Sequence, residues 1–245
     1  MAPLRRFFAP PERWSASQVM LEPEETHHLA RVLRLPVGSR VAVCDGRGRV
    51  AAAAVIAFRE GQAVLALGED LPGGTESPLR LTLGLGLAKG EVMDQVVRQA
   101  AEMGLSRFIP FSSTYAEKIS PERADRRLAR WRRQVRESLK SSLRTVLPEF
   151  SPVQDFAQVL EGPEEVKLLC YEGEAKEGLR APAAGERVGA VRLLVGPEGG
   201  FTPEEVRQAR EAGFRIVSLG PRRLRVETAA LAALALVQYL WGDLA

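Results

Sequence analysis

The run Leu193-Leu194-Val195-Gly196-Pro197-Glu198-Gly199-Gly200-Phe201 sends an apolar strand directly into a glycine-rich loop. Glycine has no side chain to hold a ligand away from the backbone and reaches dihedral angles closed to other residues. A second segment, Val217-Ser218-Leu219-Gly220-Pro221, repeats the arrangement and continues as Arg222-Arg223-Leu224-Arg225-Val226-Glu227-Thr228-Ala229. Two such loops at strand ends point to one small-molecule site. Glu198 and Glu227 are candidate bases, but each also precedes or opens a helix, where the dipole stabilises a carboxylate, and the structural role is favoured for both. Arg225 has no obvious capping role and is the preferred chemical residue.

Other groupings point away from common chemistries. Gly84-Leu85-Gly86-Leu87-Ala88-Lys89-Gly90 follows a strand and precedes a helix, yet its spacing fits neither a dinucleotide fingerprint nor a phosphate-binding P-loop. The only histidines, His27 and His28, are adjacent and so diverge by about 100° on a helix, without carboxylates at zinc-ligand spacing. No metal is expected. Triad hydrolysis is disfavoured because no Ser or Cys sits in an elbow-like context.

A basic helix is the next signal. Residues 118–144 hold ten Lys/Arg against three acidic residues. Leu128, Trp131, Val135 and Leu139 recur at helical spacing, while Arg123, Arg126, Arg130, Arg133, Arg136, Lys140 and Arg144 follow a similar step on the opposite side. One face packs and the other presents positive charge, with few acidic partners in the helix itself, which favours a polyanion over a merely solvated face.

The elements that must position these groups fall into two patterns. Residues 40–44, 50–58 and 63–68 read as strands separated by Asp45-Gly46-Arg47-Gly48 and Glu60-Gly61 turns, after a short helix at 26–34. A Pro/Gly/Ser-rich stretch at 71–78 breaks the periodicity and marks a boundary between domains 1–72 and 73–245. Beyond it, strands at 80–87, 107–111, 166–171, 191–195 and 214–219 alternate with helices at 91–103, 122–143, 203–212 and 227–241, the pattern of an α/β fold with a mainly parallel sheet. Thr202-Pro203-Glu204-Glu205 is a capping box with proline at the first helical position, and Gly213 stands where that helix stops. The helix from 229 is apolar nearly all round and must be covered on every side, by the core or, since its small residues permit close helix contact, by a subunit interface.

Composition is that of a globular chain: 245 residues, 45% hydrophobic, 27% charged, net charge +3 with pI near 9.1. Cys44 and Cys170 are too few for a disulfide framework, so a reducing, cytoplasmic setting is the simpler expectation. The longest apolar segment, 229–241, is shorter than the ~20 residues of a membrane span.

Taken together, Gly196-Pro197-Glu198-Gly199-Gly200-Phe201-Thr202 and Leu219-Gly220-Pro221-Arg222-Arg223-Leu224-Arg225-Val226-Glu227-Thr228-Ala229 closely resemble the RsmE family of SPOUT (trefoil-knot) methyltransferases, which act on 16S ribosomal RNA. His27-His28-Leu29-Ala30-Arg31-Val32-Leu33-Arg34, Lys89-Gly90, Glu102-Met103-Gly104, Arg130-Trp131 and Arg144 fit the same pattern. The resemblance implies a PUA-like β-barrel for RNA, a knotted α/β methyltransferase domain and a homodimer. It implies S-adenosylmethionine held by Leu194, Val195, Gly196, Pro197, Glu198, Gly199 and Gly200 from the first loop. From the second come Ser218, Leu219, Gly220, Leu224, Arg225, Val226, Glu227, Thr228 and Ala229. The implied reaction is methylation of a uridine N3 in 16S rRNA, with the assembled small ribosomal subunit as the expected partner and Arg225 as catalytic residue. Expected RNA contacts are Arg5, Arg6, His27, Arg31, Arg34, Lys89, Arg126, Arg130, Arg133 and Arg144. The chain departs from the family where Ser113-Thr114-Tyr115-Ala116-Glu117-Lys118 replaces a Ser-Glu-Arg-Ser-like segment and where Lys140-Ser141-Ser142 replaces Glu-Gln before a small residue. Two alternatives stay open: the same chemistry on another RNA such as tRNA, or a ribosome-binding module without catalysis. The proton acceptor is open among Glu198, Glu227, water and an RNA phosphate.

Overall fold

The computed structural model describes residues 4–173, 178–179 and 187–244. They divide into two compact units, Met1–Glu76 with Arg136–Leu147, and Ser77–Val135 with Pro148–Ala245.

The first unit is a five-stranded sheet in the order β1-β3-β4-β5-β2, formed by β1 (Arg6–Phe8), β2 (Gln18–Met20), β3 (Arg40–Cys44), β4 (Val50–Arg59) and β5 (Gln62–Asp70). β1 runs parallel to β3 and the remaining pairs are antiparallel. Alternation and turn residues predicted β3, β4 and β5. The turn before β4 is closed by Asp45, whose Oδ1 accepts the Arg47 and Arg49 N–H groups at 2.7 and 3.0 Å. Phe7, Leu21, Leu29, Val41, Val43, Val55 and Leu65 fill the core. The helix expected at 26–34 is instead α1 (Pro23–His27) running into a π-helical turn, His28–Val32, whose first carbonyl accepts the Leu33 N–H at 2.9 Å.

Three basic residues from the 136–147 segment answer three carboxylates of this unit. Lys140 reaches Glu25 at 2.6 Å, Arg136 reaches Glu22 at 3.2 Å, and Arg144 reaches Glu76 at 2.7 Å. Burial works against the Lys140 ammonium, but the Glu137 and Glu25 carboxylates outweigh it and hold its pKa above the usual lysine value. Burial likewise opposes the Glu76 carboxylate, and hydrogen bonds from Arg144 and the Thr145 and Val146 N–H groups outweigh it and lower its pKa.

The second unit is a six-stranded, all-parallel sheet in the order β11-β9-β10-β6-β7-β8. Its strands are β6 (Arg80–Gly86), β7 (Arg107–Phe111), β8 (Glu149–Phe150), β9 (Val166–Cys170), β10 (Ala190–Val195) and β11 (Arg215–Val217). Between them run α2 (Val92–Glu102), α3 (Pro121–Ser142), α4 (Phe156–Leu160), α5 (Pro203–Glu211) and α6 (Val226–Trp241). Side chains alternate along a strand, and the alternation assigns the helices to faces. Ile109, Phe111, Leu169 and Leu194 pack with residues of α4 and α5. Phe108 points the other way and meets Trp131 of α3 edge to face at 5.5 Å. Leu128, Trp131, Val135 and Leu139 are all buried, as the helical spacing predicted.

One polar pairing lies inside this sheet. Arg192, only 2% exposed in the middle of β10, donates to Glu164 at 2.9 Å and to the Val159 carbonyl at 2.7 Å, while Glu164 also accepts the Thr82 hydroxyl at 2.8 Å. α6 packs against α2 and β10. Its buried Gln238 accepts the Ser77 hydroxyl and donates to the Met103 carbonyl, both at 2.8 Å. In the single chain Leu236 and Tyr239 of α6 are exposed. Among the described residues no helix is long and apolar enough to cross a membrane, and no group of three or more His, Cys, Asp or Glu is placed to hold a metal.

Candidate active site

In a parallel sheet all strands end on one edge, so the loops that follow them gather there. β10 delivers Gly196 to Gly200 to that edge and β11 delivers Ser218 to Arg225. The two strands flank β9, so their ends lie about 10 Å apart, two strand spacings. α6 begins directly after the second loop and packs on β10, which ties the second loop to the strand carrying the first.

Leu194 and Val195 are buried at the end of β10, Gly196 and Pro197 are buried beyond it, and Glu198 and Gly199 are exposed. Gly200 has φ +69° and Gly220 φ +109°, and a Cβ on either would meet nothing within 4 Å. Both loops therefore have open backbone at their bends. In the second loop the Ser218 hydroxyl donates to the Gly220 carbonyl at 3.1 Å and accepts its N–H at 3.2 Å, a compact local turn. Leu219 and Leu224 are half-buried, Arg225 is exposed, and Val226 is buried as the first residue of α6. Glu227 is half-buried in the first turn of that helix, followed by exposed Thr228 and half-buried Ala229. Arg225 occupies the N-cap position, but its side chain makes no capping hydrogen bond, which leaves the guanidinium uncommitted to the helix.

Three features of the site are invisible in the spacing of residues. The first concerns the glycines of β6: a Cβ on Gly86 would lie 2.5 Å from Pro197 Cδ and 2.6 Å from its nitrogen. Gly86 is thus a close-packing residue that lets the first loop lie against β6, in keeping with its poor fit to a nucleotide motif. Next, Glu198 Oε1 accepts the Lys89 N–H at 2.8 Å, joining the loop after β6 to the loop after β10. The third is Glu205. Predicted only as part of a capping box, which it forms with Thr202, this carboxylate is 6% exposed. Its Oε2 accepts the Thr202 N–H at 2.8 Å, and its Oε1 accepts the Thr114 N–H and hydroxyl at 2.8 and 3.0 Å. A cap on α5 is therefore also a latch on the loop after β7. A carboxylate three residues after a threonine signalled the cap, but nothing in sequence signalled Thr114 as its second partner.

The expected RNA-binding residues divide by environment. In the first unit Arg5, His27, Arg31 and Arg34 are exposed, while Arg6 donates to the Leu143 and Arg144 carbonyls at 2.7 and 3.0 Å. Arg144 corrects the sequence expectation: it is 3% exposed and bonded to Glu76, so it is not presented to a phosphate. The cause is local. α3 ends at Ser142 and Leu143 turns the chain with φ +63°, so Arg144 leaves the helical phase that grouped it with the basic face. In the second unit Lys89, Arg126 and Arg133 are exposed, and Arg130 pairs with Asp94 at 2.9 Å. The helix has more acidic partners than its own sequence supplies, since Glu117 also pairs with Arg123 and Arg127 at 3.1 and 2.8 Å.

With this geometry in place, the chain can be set beside known proteins. A family model for an RNA methyltransferase domain matches residues 75–238, and one for an RNA methyltransferase PUA domain matches residues 21–66. The ribosomal RNA small subunit methyltransferase E of Synechocystis sp. is 35% identical over 239 residues, spanning 96% of this chain and 77% of that protein. The Bacillus subtilis protein of the same name is 29% identical over 224 residues, spanning 88% of each. Among solved structures, that of a ribosomal RNA small subunit methyltransferase E from Neisseria gonorrhoeae bound to S-adenosyl methionine superposes with TM-score 0.86 at 33% identity, covering 99% of this chain and 100% of that one. A Legionella pneumophila putative methyltransferase in complex with SAM gives TM-score 0.90 at 30% identity with the same coverage. The glycine loops at the edge of a SPOUT-type parallel sheet, the PUA-like unit before it and these near full-length matches agree: the chain belongs to the ribosomal RNA small subunit methyltransferase E family.

Proposed function

We propose that this chain methylates N3 of a uridine in the 16S RNA of the small ribosomal subunit, using S-adenosylmethionine. The observation that carries the reading is the pair of glycine loops at the carboxyl ends of β10 and β11, each with open backbone at its bend. The cofactor would be held by the first loop from Leu194 to Gly200 and by Ser218, Leu219, Gly220 and the Leu224 to Ala229 segment. Its chemistry when bound is an electrophilic methyl group on a cationic sulfur. In this reading domain 1–72 grips RNA and domain 73–245, threaded as a trefoil knot, carries out transfer.

Uracil N3 lies on the Watson-Crick edge, so the base must be unpaired or turned out to be reached. N3 becomes a good nucleophile only on losing its proton, when negative charge spreads to the flanking carbonyl oxygens. A cationic donor placed there lowers the barrier. Arg225, exposed beside the second loop and free of a capping duty, is suited to that role. Glu198 has one oxygen engaged by the Lys89 N–H, which supports a structural part for it. Backbone phosphates would be met by Arg5, Arg6, His27, Arg31 and Arg34 and, on the second unit, by Lys89, Arg126, Arg130 and Arg133. Such contacts position RNA without reading its sequence. Exposed Leu236 and Tyr239 on α6 support a homodimer, and a ribosomal substrate supports a cytoplasmic location.

The test is mass spectrometry of RNA nucleosides after incubation with labelled S-adenosylmethionine, on naked 16S RNA, on assembled subunits and on transfer RNA. Methyl label at uridine N3 is expected. Label in transfer RNA alone would move the substrate, and absence of cofactor binding would leave a ribosome-binding module. Arg225→Ala should lower turnover by about 100-fold, the loss typical of a transition-state donor, and far more than it lowers cofactor affinity.

A further inference from the structure

Tyr115 stands out on the loop after β7. It is 55% exposed, yet its base is fixed. A Cβ on Gly199 would lie 2.6 Å from Tyr115 Cβ and 3.0 Å from its Cγ, so the tyrosine packs directly on the first glycine loop. Both flanks are tied down: Thr114 to Glu205 by two hydrogen bonds, and the Glu117 N–H to the Leu87 carbonyl at 2.8 Å. A ring that is held at its root and open on its outer part is a stacking platform of low conformational cost.

Two residues on, Glu117 holds Arg123 and Arg127. These two, with Arg126, Arg130, Gly90 and the carboxylates Glu91 and Asp94, line an open cleft of about 280 Å³ in which four arginines outnumber two acidic residues. Of the four, Arg126 is exposed and makes no ion pair with a described carboxylate, which leaves its guanidinium available to an anionic oxygen. Two residues of chain span at most ~7 Å, so Tyr115 neighbours the carboxylate that holds two of the cleft's arginines.

We propose that Tyr115 and this arginine cleft form one nucleotide subsite beside the methyl-donor loop, the tyrosine ring stacking on an unpaired base and the guanidinium groups taking a phosphate of the same strand. Stacking on an aromatic side chain is how proteins hold bases removed from a helix. The proposal rests on the reading of RNA as methyl acceptor.

The experiment measures RNA KM, kcat, cofactor affinity and the salt dependence of RNA binding for the wild type, Tyr115→Ala, Tyr115→Phe, Arg126→Ala and, as control, Arg80→Ala at the amino end of β6. Tyr115→Ala should raise RNA KM about tenfold to a hundredfold, Tyr115→Phe should stay near wild type, and cofactor affinity should hold in both. Arg126→Ala should reduce the salt slope by about one, with Arg80→Ala unchanged. The subsite is overturned if Phe is as impaired as Ala, if Tyr115→Ala loses cofactor affinity in proportion, or if the Arg126 slope equals that of wild type. A wild-type protein that methylates no RNA would instead defeat the functional reading itself.

Discussion

Removal of the Glu205 carboxylate is the most direct test of how the site is held together. Its two oxygens each accept a backbone N–H at 2.8 Å, from Thr202 on one side and Thr114 on the other, in an environment where the side chain is almost wholly buried. In Glu205→Ala both N–H groups lose a charged acceptor. At about 1.5–3 kcal/mol for each hydrogen bond to a charged group, the loss should come to about 3–6 kcal/mol, well beyond the ~1 kcal/mol of an ordinary helix cap. Glu205→Gln should fall between, because the amide presents one oxygen and one NH2 and must turn the latter toward one of the two N–H groups. The hydroxyls of Thr114 and Thr202 can rotate to accommodate it, but the backbone donors cannot. Urea denaturation followed by circular dichroism measures the loss directly. In a melting experiment, at about 2–4 °C per kcal/mol for a chain of this size, Glu205→Ala should melt about 10 °C lower. If Glu205→Ala costs no more than a cap, or Glu205→Gln costs as much as Ala, the argument that this carboxylate serves two loops is wrong.

Gly86→Ala should push the Gly196-Pro197 backbone away from β6, since the new methyl would meet Pro197 backbone nitrogen at 2.6 Å. Overpacking of this kind costs about 1–3 kcal/mol; calorimetric titration should find S-adenosylmethionine affinity reduced roughly tenfold or more, and unchanged affinity would remove Pro197 from the site. Glu76 supplies an acid-sensitive element. Its folded-state pKa lies below the ordinary 4.5, so its stabilising contribution is complete above that value and disappears as pH falls through the lower folded value. Stability followed from pH 7 to pH 3 should drop below about pH 4.5, less steeply in Glu76→Gln; equal slopes would show that the Arg144 pairing contributes nothing.

What the sequence disclosed and what it withheld follow from the range of the interactions. β3 and β7 emerge with the bounds that alternation and turn residues predicted, and the Thr202 capping box is local to four residues. By contrast β1, β2 and β8 are two or three residues long and exist only because a neighbouring strand pairs with them. A buried arginine in the middle of the β10 run was in plain view as Arg192, but its partner Glu164 lies outside any local window. Basic residues on α3 were grouped by helical phase, which counts charges on one helix and cannot see that Asp94, Glu117, Glu22 and Glu25 answer several of them. The glycine loops were legible because glycine is an unusual choice at a strand end. The aromatic and acidic residues that press on those loops were not, being ordinary residue types whose placement depends on the sheet order.

The first unit is assembled from two stretches of chain far apart in sequence, and this bears on the order of events during synthesis. Glu25 is buried, with its Oε2 accepting the Phe8 N–H at 3.1 Å and its Oε1 neutralised by Lys140. A nascent chain that has emerged only as far as Glu76 presents Glu22, Glu25 and Glu76 but none of Arg136, Lys140 and Arg144. Three carboxylates, one of them enclosed, then wait for their counter-charges until translation has passed residue 144. The N-terminal half should therefore emerge as an incomplete, protease-sensitive intermediate, and an excised fragment ending in the 71–78 stretch should be unstable at neutral pH for the same reason, however complete its strands.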